Sequence, residues 1–222
     1  MRLSPVNLMT LIFTLDVEGY DSAPLLKLCG HDSLDTMQAD EAWVDVELFD
    51  RMMALAIELT GDPSFGLVAG KSLALTRYGP FTPLVLFSPT LRQLLNDLRQ
   101  FARLVVERSE VELAEGAQTA RLVVVPVVQG GPGGRFRTEL VASCALQMLR
   151  FAGAGNDDVH RIDFPYACPT EFLPRYQAAF GPAIEFGQRE CALHFNPALL
   201  DAPLLTHDPV GYTTARTRVE SA

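Results

Sequence analysis

Cationic charge is the first shortage in this sequence: 18 Lys and Arg against 27 Asp and Glu leave a formal net charge of −9 over 222 residues. A phosphate backbone selects a basic surface, so the chain taken alone is not expected to bind nucleic acid. The deficit is uneven, because residues 1–75 hold 12 acidic and 4 basic residues while residues 76–222 hold 15 and 14. Long apolar runs are missing too. No stretch reaches the roughly 18 uncharged apolar residues of a membrane-spanning helix, which excludes a span of that kind. Near the start, Leu8, Met9, Leu11, Ile12, Phe13 and Leu15 follow Arg2, but Asn7, Thr10 and Thr14 interrupt them. Asp16 and Glu18 then stand where a secretory cleavage site would have small residues, so the segment reads as a helix with one buried face rather than a signal peptide. Cysteine is sparse: Cys29, Cys144, Cys168 and Cys191 are widely separated in a chain too long to need disulfide staples. They read as reduced, mostly buried thiols of a cytoplasmic protein.

Chemistry-bearing patterns are also scarce. His31, His160, His194 and His207 have no partner at metal-ligand spacing, so no metal is expected. There is no G-x-S-x-G elbow, and Cys144 lies on an apolar helical face where a thiol is core filling. Neither a catalytic residue nor a cofactor site is expected from these patterns. The run Gly130-Gly131-Pro132-Gly133-Gly134 ends in Arg135-Phe136 instead of Lys-Ser/Thr, which argues against a phosphate cradle. Residues 129–134 read as a flexible linker without regular structure.

What is present is clear periodicity. Asp62-Pro63, Ser88-Pro89 and Asp208-Pro209 each set a capping side chain before a proline suited to the first helical position, so each is expected to open a helix. Val46, Phe49, Met52, Met53, Ala56 and Ile57 recur at three- and four-residue steps between Asp45 and Gly61. Leu91, Leu94, Leu95, Leu98, Phe101, Ala102 and Val105 form the most regular stripe. The period then drops to two: Val111 and Leu113, then Val123 and Val125, describe a hairpin turning near Glu115-Gly116. A helix from Phe136 to Ala152, stopped by Gly153, is followed by a strand near Val159 to Phe164 and a helix from Thr170 to Phe180. A strand pair, Ile184–Phe186 and Cys191–Phe195, precedes a last helix that opens at Asp208-Pro209 and runs to Ala222. This order predicts an α+β fold with a mainly antiparallel sheet packed with several helices and a helical N-terminal subdomain.

Arg135 and Arg137 open the long helix at the positive end of its dipole, an unfavourable place for cations unless an acidic group or an anion is near. Glu139 is the nearest such group, and a local ion pair is the ordinary expectation.

In this order and at this spacing, several short motifs resemble the N-terminal sensing domain of AraC/XylS-type transcription regulators, in the group labelled arabinose-binding. They are Gly61-Asp62-Pro63-Ser64-Phe65-Gly66-Leu67, Ser88-Pro89-Thr90-Leu91, Ile162-Asp163-Phe164-Pro165, Tyr176 with Phe180-Gly181, and Ile184-Glu185-Phe186-Gly187. Leu200-Asp201-Ala202-Pro203-Leu204 and Asp208-Pro209 continue the likeness, which runs from about Asn7 to Tyr212. The resemblance implies a ligand-sensing and dimerising domain over residues 1–208, helical over about 1–75 and sheet-containing over about 76–208. Residues 209–222 would then begin a linker helix to a C-terminal DNA-binding domain that the chain lacks, as a truncated form would. DNA would be reached only through that missing part, whose basic surface would balance the acidity here. Arabinose itself is not the expected effector, because members so labelled answer to amino acids, other metabolites or unidentified signals.

The resemblance does not say which residues hold an effector, so the candidates come from chemistry. A pocket needs apolar walls and a few convergent polar groups. Arg77, Tyr78 and Phe81 precede the Ser88 helix, Arg137 and Glu139 open the long helix, and His160 and Tyr166 bracket the Phe164 strand. Their ordinary alternatives are core lids for Tyr78 and Phe81, a solvated loop charge for Arg77 and a surface histidine for His160. The expected partners are a small-molecule effector, an amino acid or other metabolite, and a second copy of the chain through the Leu91–Val105 helix; no membrane is expected. Three other readings stay open: an enzyme with a spatially assembled site, a dimerisation or protein-interaction module without a small ligand, and a thiol sensor using Cys29 or Cys168.

Overall fold

The computed structural model describes residues 2–3, 5–39, 44–72, 81–101, 111–125, 130–181 and 183–221. The N-terminal part begins with β1 (Arg2–Leu3), which pairs antiparallel with β2 (Val44–Asp45), and contains α1 (Pro5–Val17), α2 (Ala23–Leu28), α3 (Leu34–Ala39), α4 (Val46–Thr60) and α5 (Phe65–Ser72). α4 presents Phe49, Met52, Met53 and Ala56 to the core, as its apolar period predicts, and ends at Gly61 with φ 62°, a left-handed C-cap that glycine adopts without strain. At the next helix the Asp62 carboxylate accepts from the Ser64 backbone N–H at 2.9 Å and from Ser64 Oγ at 2.6 Å, which fixes the entry to α5.

α6 (Thr82–Phe87) and α7 (Leu91–Phe101) lead into the hairpin β3 (Val111–Glu115) and β4 (Ala120–Val124). After the hairpin come α8 (Gly131–Phe151), β5 (Val159–Phe164), α9 (Leu173–Phe180), β6 (Ile184–Phe186), β7 (Cys191–Phe195), a 3-10 turn (Pro197–Leu200) and α10 (Pro209–Glu220). The sheet has the order β3-β4-β7-β5-β6, antiparallel throughout except for β6, which runs parallel to β5. The architecture is α+β, as expected.

α8 is the centre of the molecule. It packs against α4 and α5 on one side and against β4 and β7 on the other. From Gly133 to Leu149 only Arg135 and Gln147 escape full burial, the signature of a helix covered on all sides. One continuous apolar cluster joins Leu8, Phe49 and Phe65 of the N-terminal helices to Phe136 and Leu149 of α8 and to Leu122, Ile162 and Leu193 of the sheet. The helical part and the sheet part therefore share a core. A second, smaller cluster of Phe81, Leu84, Phe101, Ala215 and Val219 lies between α6, α7 and α10.

Several expectations are corrected. The glycine run is the first turn of α8 and not a linker: Pro132 sits where a missing N–H costs nothing, and Gly133 lets Asp50 of α4 approach so closely that a Cβ there would meet its carboxylate. Ser88 closes α6, donating from Oγ to Leu84 O at 2.6 Å, and Thr90 caps α7 by accepting from the Gln93 N–H at 3.2 Å. β6 and β7 are not partners; β5 lies between them. α10 ends at Glu220, before Ala222. The stripe of α7 is covered within the chain, Leu91, Leu94 and Leu95 by the main core and Leu98 and Phe101 by the second cluster. Ala102 and Val105, which complete the stripe in sequence, lie outside the described residues.

Candidate binding site

Three elements converge on the third turn of α8. Glu139, with no exposed surface, is buried where α8 meets α5, the end of β5 and α9. Arg135, one helical turn earlier, shares its face and donates from Nε to Glu139 Oε1 at 2.8 Å. Tyr176 of α9 donates its hydroxyl to the same oxygen, and Tyr166, two residues beyond β5, reaches it at 3.5 Å. The ring closes because Arg135 Nη2 donates to the Tyr176 hydroxyl at 2.9 Å and the two phenol oxygens lie 3.3 Å apart. The Arg135 guanidinium also stands 5.3 Å from the Tyr166 ring centre and 5.9 Å from that of Tyr176, within range of cation–π attraction. Phe164 and Phe186 pack against both tyrosines and form the apolar wall behind them.

The arrangement is unbalanced. Three donors crowd onto Oε1, whereas Oε2 is buried and makes no hydrogen bond among the described residues. Gly66 of α5 lies against it, so that a Cβ at this position would stand 2.9 Å from Oε2 and 2.4 Å from Phe136 O. Burial pushes the Glu139 acid up to about 7, against the opposing pull of Tyr176, Arg135 and Tyr166. Both phenols are raised, first by burial and then by the neighbouring Glu139 charge. Burial pulls the Arg135 guanidinium down, but its hydrogen bond to Glu139 and that carboxylate's charge outweigh it and hold it above its usual value. Arg135 keeps a quarter of its side chain exposed, so the cluster is one residue from solvent.

The cluster brings together a carboxylate, a guanidinium and two phenols in front of an apolar aromatic wall, the mixture of polar and apolar groups that a small-molecule site uses. Among the described residues no group of three or more His, Cys, Asp or Glu is placed to hold a metal ion. A second buried acid, Asp163 on the sheet face away from α8, pairs with His194 at 2.7 Å and Arg161 at 2.8 Å. Of these two partners Arg161 is open to solvent and His194 is mostly buried.

Of the residues singled out from sequence, Glu139 and Tyr166 come together. Arg137 does not join them: it points to another face of α8, buried, with its guanidinium 5.3 Å from the Phe49 ring centre. His160 is the extra residue of a β-bulge in β5 and is exposed. Phe81 is buried in the second cluster at the start of α6, in the role of a core lid. Arg77 and Tyr78 lie outside the described residues. Sequence reasoning left out Arg135 and Tyr176 as site residues. The four-residue step from Arg135 to Glu139 signalled the first, and nothing in spacing alone signalled the second.

Comparison with known proteins places these features in a family. Residues 19–204 match the family model described as the arabinose-binding domain of AraC transcription regulator, N-terminal. The chain is 28% identical over 162 residues to the ornithine utilization regulator of Pseudomonas aeruginosa, an alignment covering 72% of this chain and 47% of that protein. The chain thus spans about half the length of this curated relative. Its fold is similar to that of the transcriptional regulator CdpR from Pseudomonas aeruginosa, with a TM-score of 0.61 at 15% identity, covering 88% of this chain and 63% of that one.

Proposed function

The chain belongs to the arabinose-binding N-terminal domain family of the AraC transcription regulators, and from that premise we propose that it senses a small zwitterionic effector, an amino acid, through Glu139, Arg135, Tyr166 and Tyr176. The observation that carries the reading is the buried Glu139 carboxylate with one oxygen bare, paired through the other with an arginine that keeps a quarter of its side chain exposed. The relative named for ornithine utilization supports amino acids as the first class to test. In this reading the domain works in the cytoplasm, pairs with a second copy, and controls a DNA-binding region carried elsewhere in the longer protein. An effector that binds one arrangement of the domain more tightly shifts the population towards it, and the tethered region reads that shift.

The test is a thermal-shift and calorimetric screen of the 222-residue chain with L-ornithine, L-arginine, L-lysine and the neutral amino acids, oligomeric state being recorded alongside. A ligand at a hundred times its dissociation constant adds about 2.7 kcal/mol to stability, an easily read shift. Glu139→Gln should abolish the response. Binding should also weaken as pH falls below about 7, because protonation of Glu139 competes with an ammonium group. Absence of any shift across the panel, with a stable dimer, would favour a dimerisation or protein-interaction module instead.

A further inference from the structure

The structure contains, besides Asp163, another buried acid that the proposed sensing site does not use. Asp97 on α7 is only 1% exposed, and two of its hydrogen-bonding residues, Tyr212 and Arg216, lie on α10. Tyr212 donates its hydroxyl to Asp97 Oδ2 at 2.6 Å, and Arg216 donates from Nη1 to Oδ1 at 3.0 Å. Gln93, one turn before Asp97 on α7, donates to Oδ1 at 3.0 Å. Arg216 is held in turn by the Tyr212 hydroxyl at 3.1 Å, by Gln100 at 3.3 Å and by Glu220 at 3.0 Å, and lies 5.9 Å from the Phe101 ring centre.

Apolar packing alone holds this helix weakly. Of α10, only Ala215 and Val219 are buried, and they enter the separate cluster with Phe81, Leu84 and Phe101, not the main core. A twelve-residue helix is marginal by itself in water. Its first turn is anchored differently. The Thr206 hydroxyl donates to Leu86 O, His207 Nδ1 lies 2.9 Å from Phe87 O, and Gly211 packs on the Phe87 ring so closely that a Cβ would stand 2.8 Å from it. α10 is thus pinned at its start against the end of α6 and fastened further along by charged and hydroxyl groups around one buried carboxylate.

We propose that α10 is a lever, hinged at residues 206–211 and latched by Asp97, Tyr212 and Arg216, that leaves α7 as a unit while the sheet and α8 stay folded. Asp97 is a positioning residue. Its carboxylate is tolerated in the interior only while both α10 partners are in place, so docking is all-or-none at this point rather than gradual. The lever itself stands on contacts within this chain; its use as the output of effector binding rests on the sensing function proposed above.

Hydrogen exchange on the intact chain, read by mass spectrometry, tests it. In wild-type protein, peptides from 212–221 should exchange faster than those of β4 and β7. Asp97→Asn should accelerate α10 at least tenfold and leave β4 and β7 unchanged. Arg216→Met, on the helix surface, should do the same if Asp97→Asn fails to fold, and Arg216→Lys should recover much of the protection. Unchanged α10 exchange in these variants, or equal loss of protection in α10 and β7, would overturn the lever. An amino acid titration on the same samples separates the two ideas: selective release of α10 in Asp97→Asn without any ligand binding keeps the lever and removes the sensing function.

Discussion

Glu139 makes the fold's stability depend on pH in a stated direction. Its acid lies near 7 in the folded chain against about 4.5 when exposed, so the folded state holds the proton more tightly. That contribution is fully present below about 4.5 and is lost as pH rises through 7, a difference on the order of 3 kcal/mol. Urea unfolding at a series of pH values should show the decline, and Glu139→Gln, which cannot ionise, should flatten it. A second prediction concerns the residue that faces the bare oxygen. Gly66→Ala places a methyl group against Phe136 O and Glu139 Oε2, backbone and buried charge that cannot swing away. Overpacking of this kind is expected to cost about 1–3 kcal/mol, visible as a lower urea midpoint with unchanged slope. Ala at Gly61, where φ is 62° but the space is open, tests strain alone.

Helices α5 and α8 show what the elements owe to small residues. Gly66 and Gly70 stand one turn apart on α5, and at both a Cβ would collide with the α8 backbone, so the two helices cross in close contact. α7 gives the clearest prediction at this scale. Leu98 lies half-buried between the main core and the cluster that holds α10. Leu98→Glu is therefore expected to lower the melting temperature and loosen α10, where a free dimerisation face would have given a stable monomer; calorimetry with size-exclusion chromatography distinguishes the two. The apolar stripes of α4 and α7 and the alternation in β3 were legible in sequence because burial on one side imposes a period, whereas in β4 the core face is Ala120, Leu122 and Val124, one residue out of step with the Val123 and Val125 expected. The short helices α2, α3 and α6 were not, since six residues span fewer than two turns and leave no period to read. The glycine run misled because propensity argues against a helix there, whereas the close approach of Asp50 at Gly133 requires residues without side chains. Strand order escaped as well: β6 and β7 are neighbours in sequence, but pairing depends on where α9 returns the chain.

At the scale of the molecule, α8 is the shared wall of two layers, and its third turn is where α5, the chain just beyond β5 and α9 all reach one carboxylate. The pairing of Glu139 with a nearby arginine was legible from the four-residue step, and Tyr166 from its place after an apolar strand. Tyr176 was not, because its contact with α8 spans 37 positions and exists only in the folded chain. His160 and Arg137, singled out for their places beside the Phe164 strand and at the start of α8, lie outside this cluster, the one on an exposed bulge and the other on the helical face towards Phe49. The measurement that bears most directly on the proposed sensing function is a calorimetric titration of wild-type chain and Glu139→Gln with a panel of amino acids at pH 8. One-site saturable binding by the wild type, weakened at least tenfold in the variant, is the predicted result. Absence of binding across the panel, or equal affinity in both proteins, would contradict it.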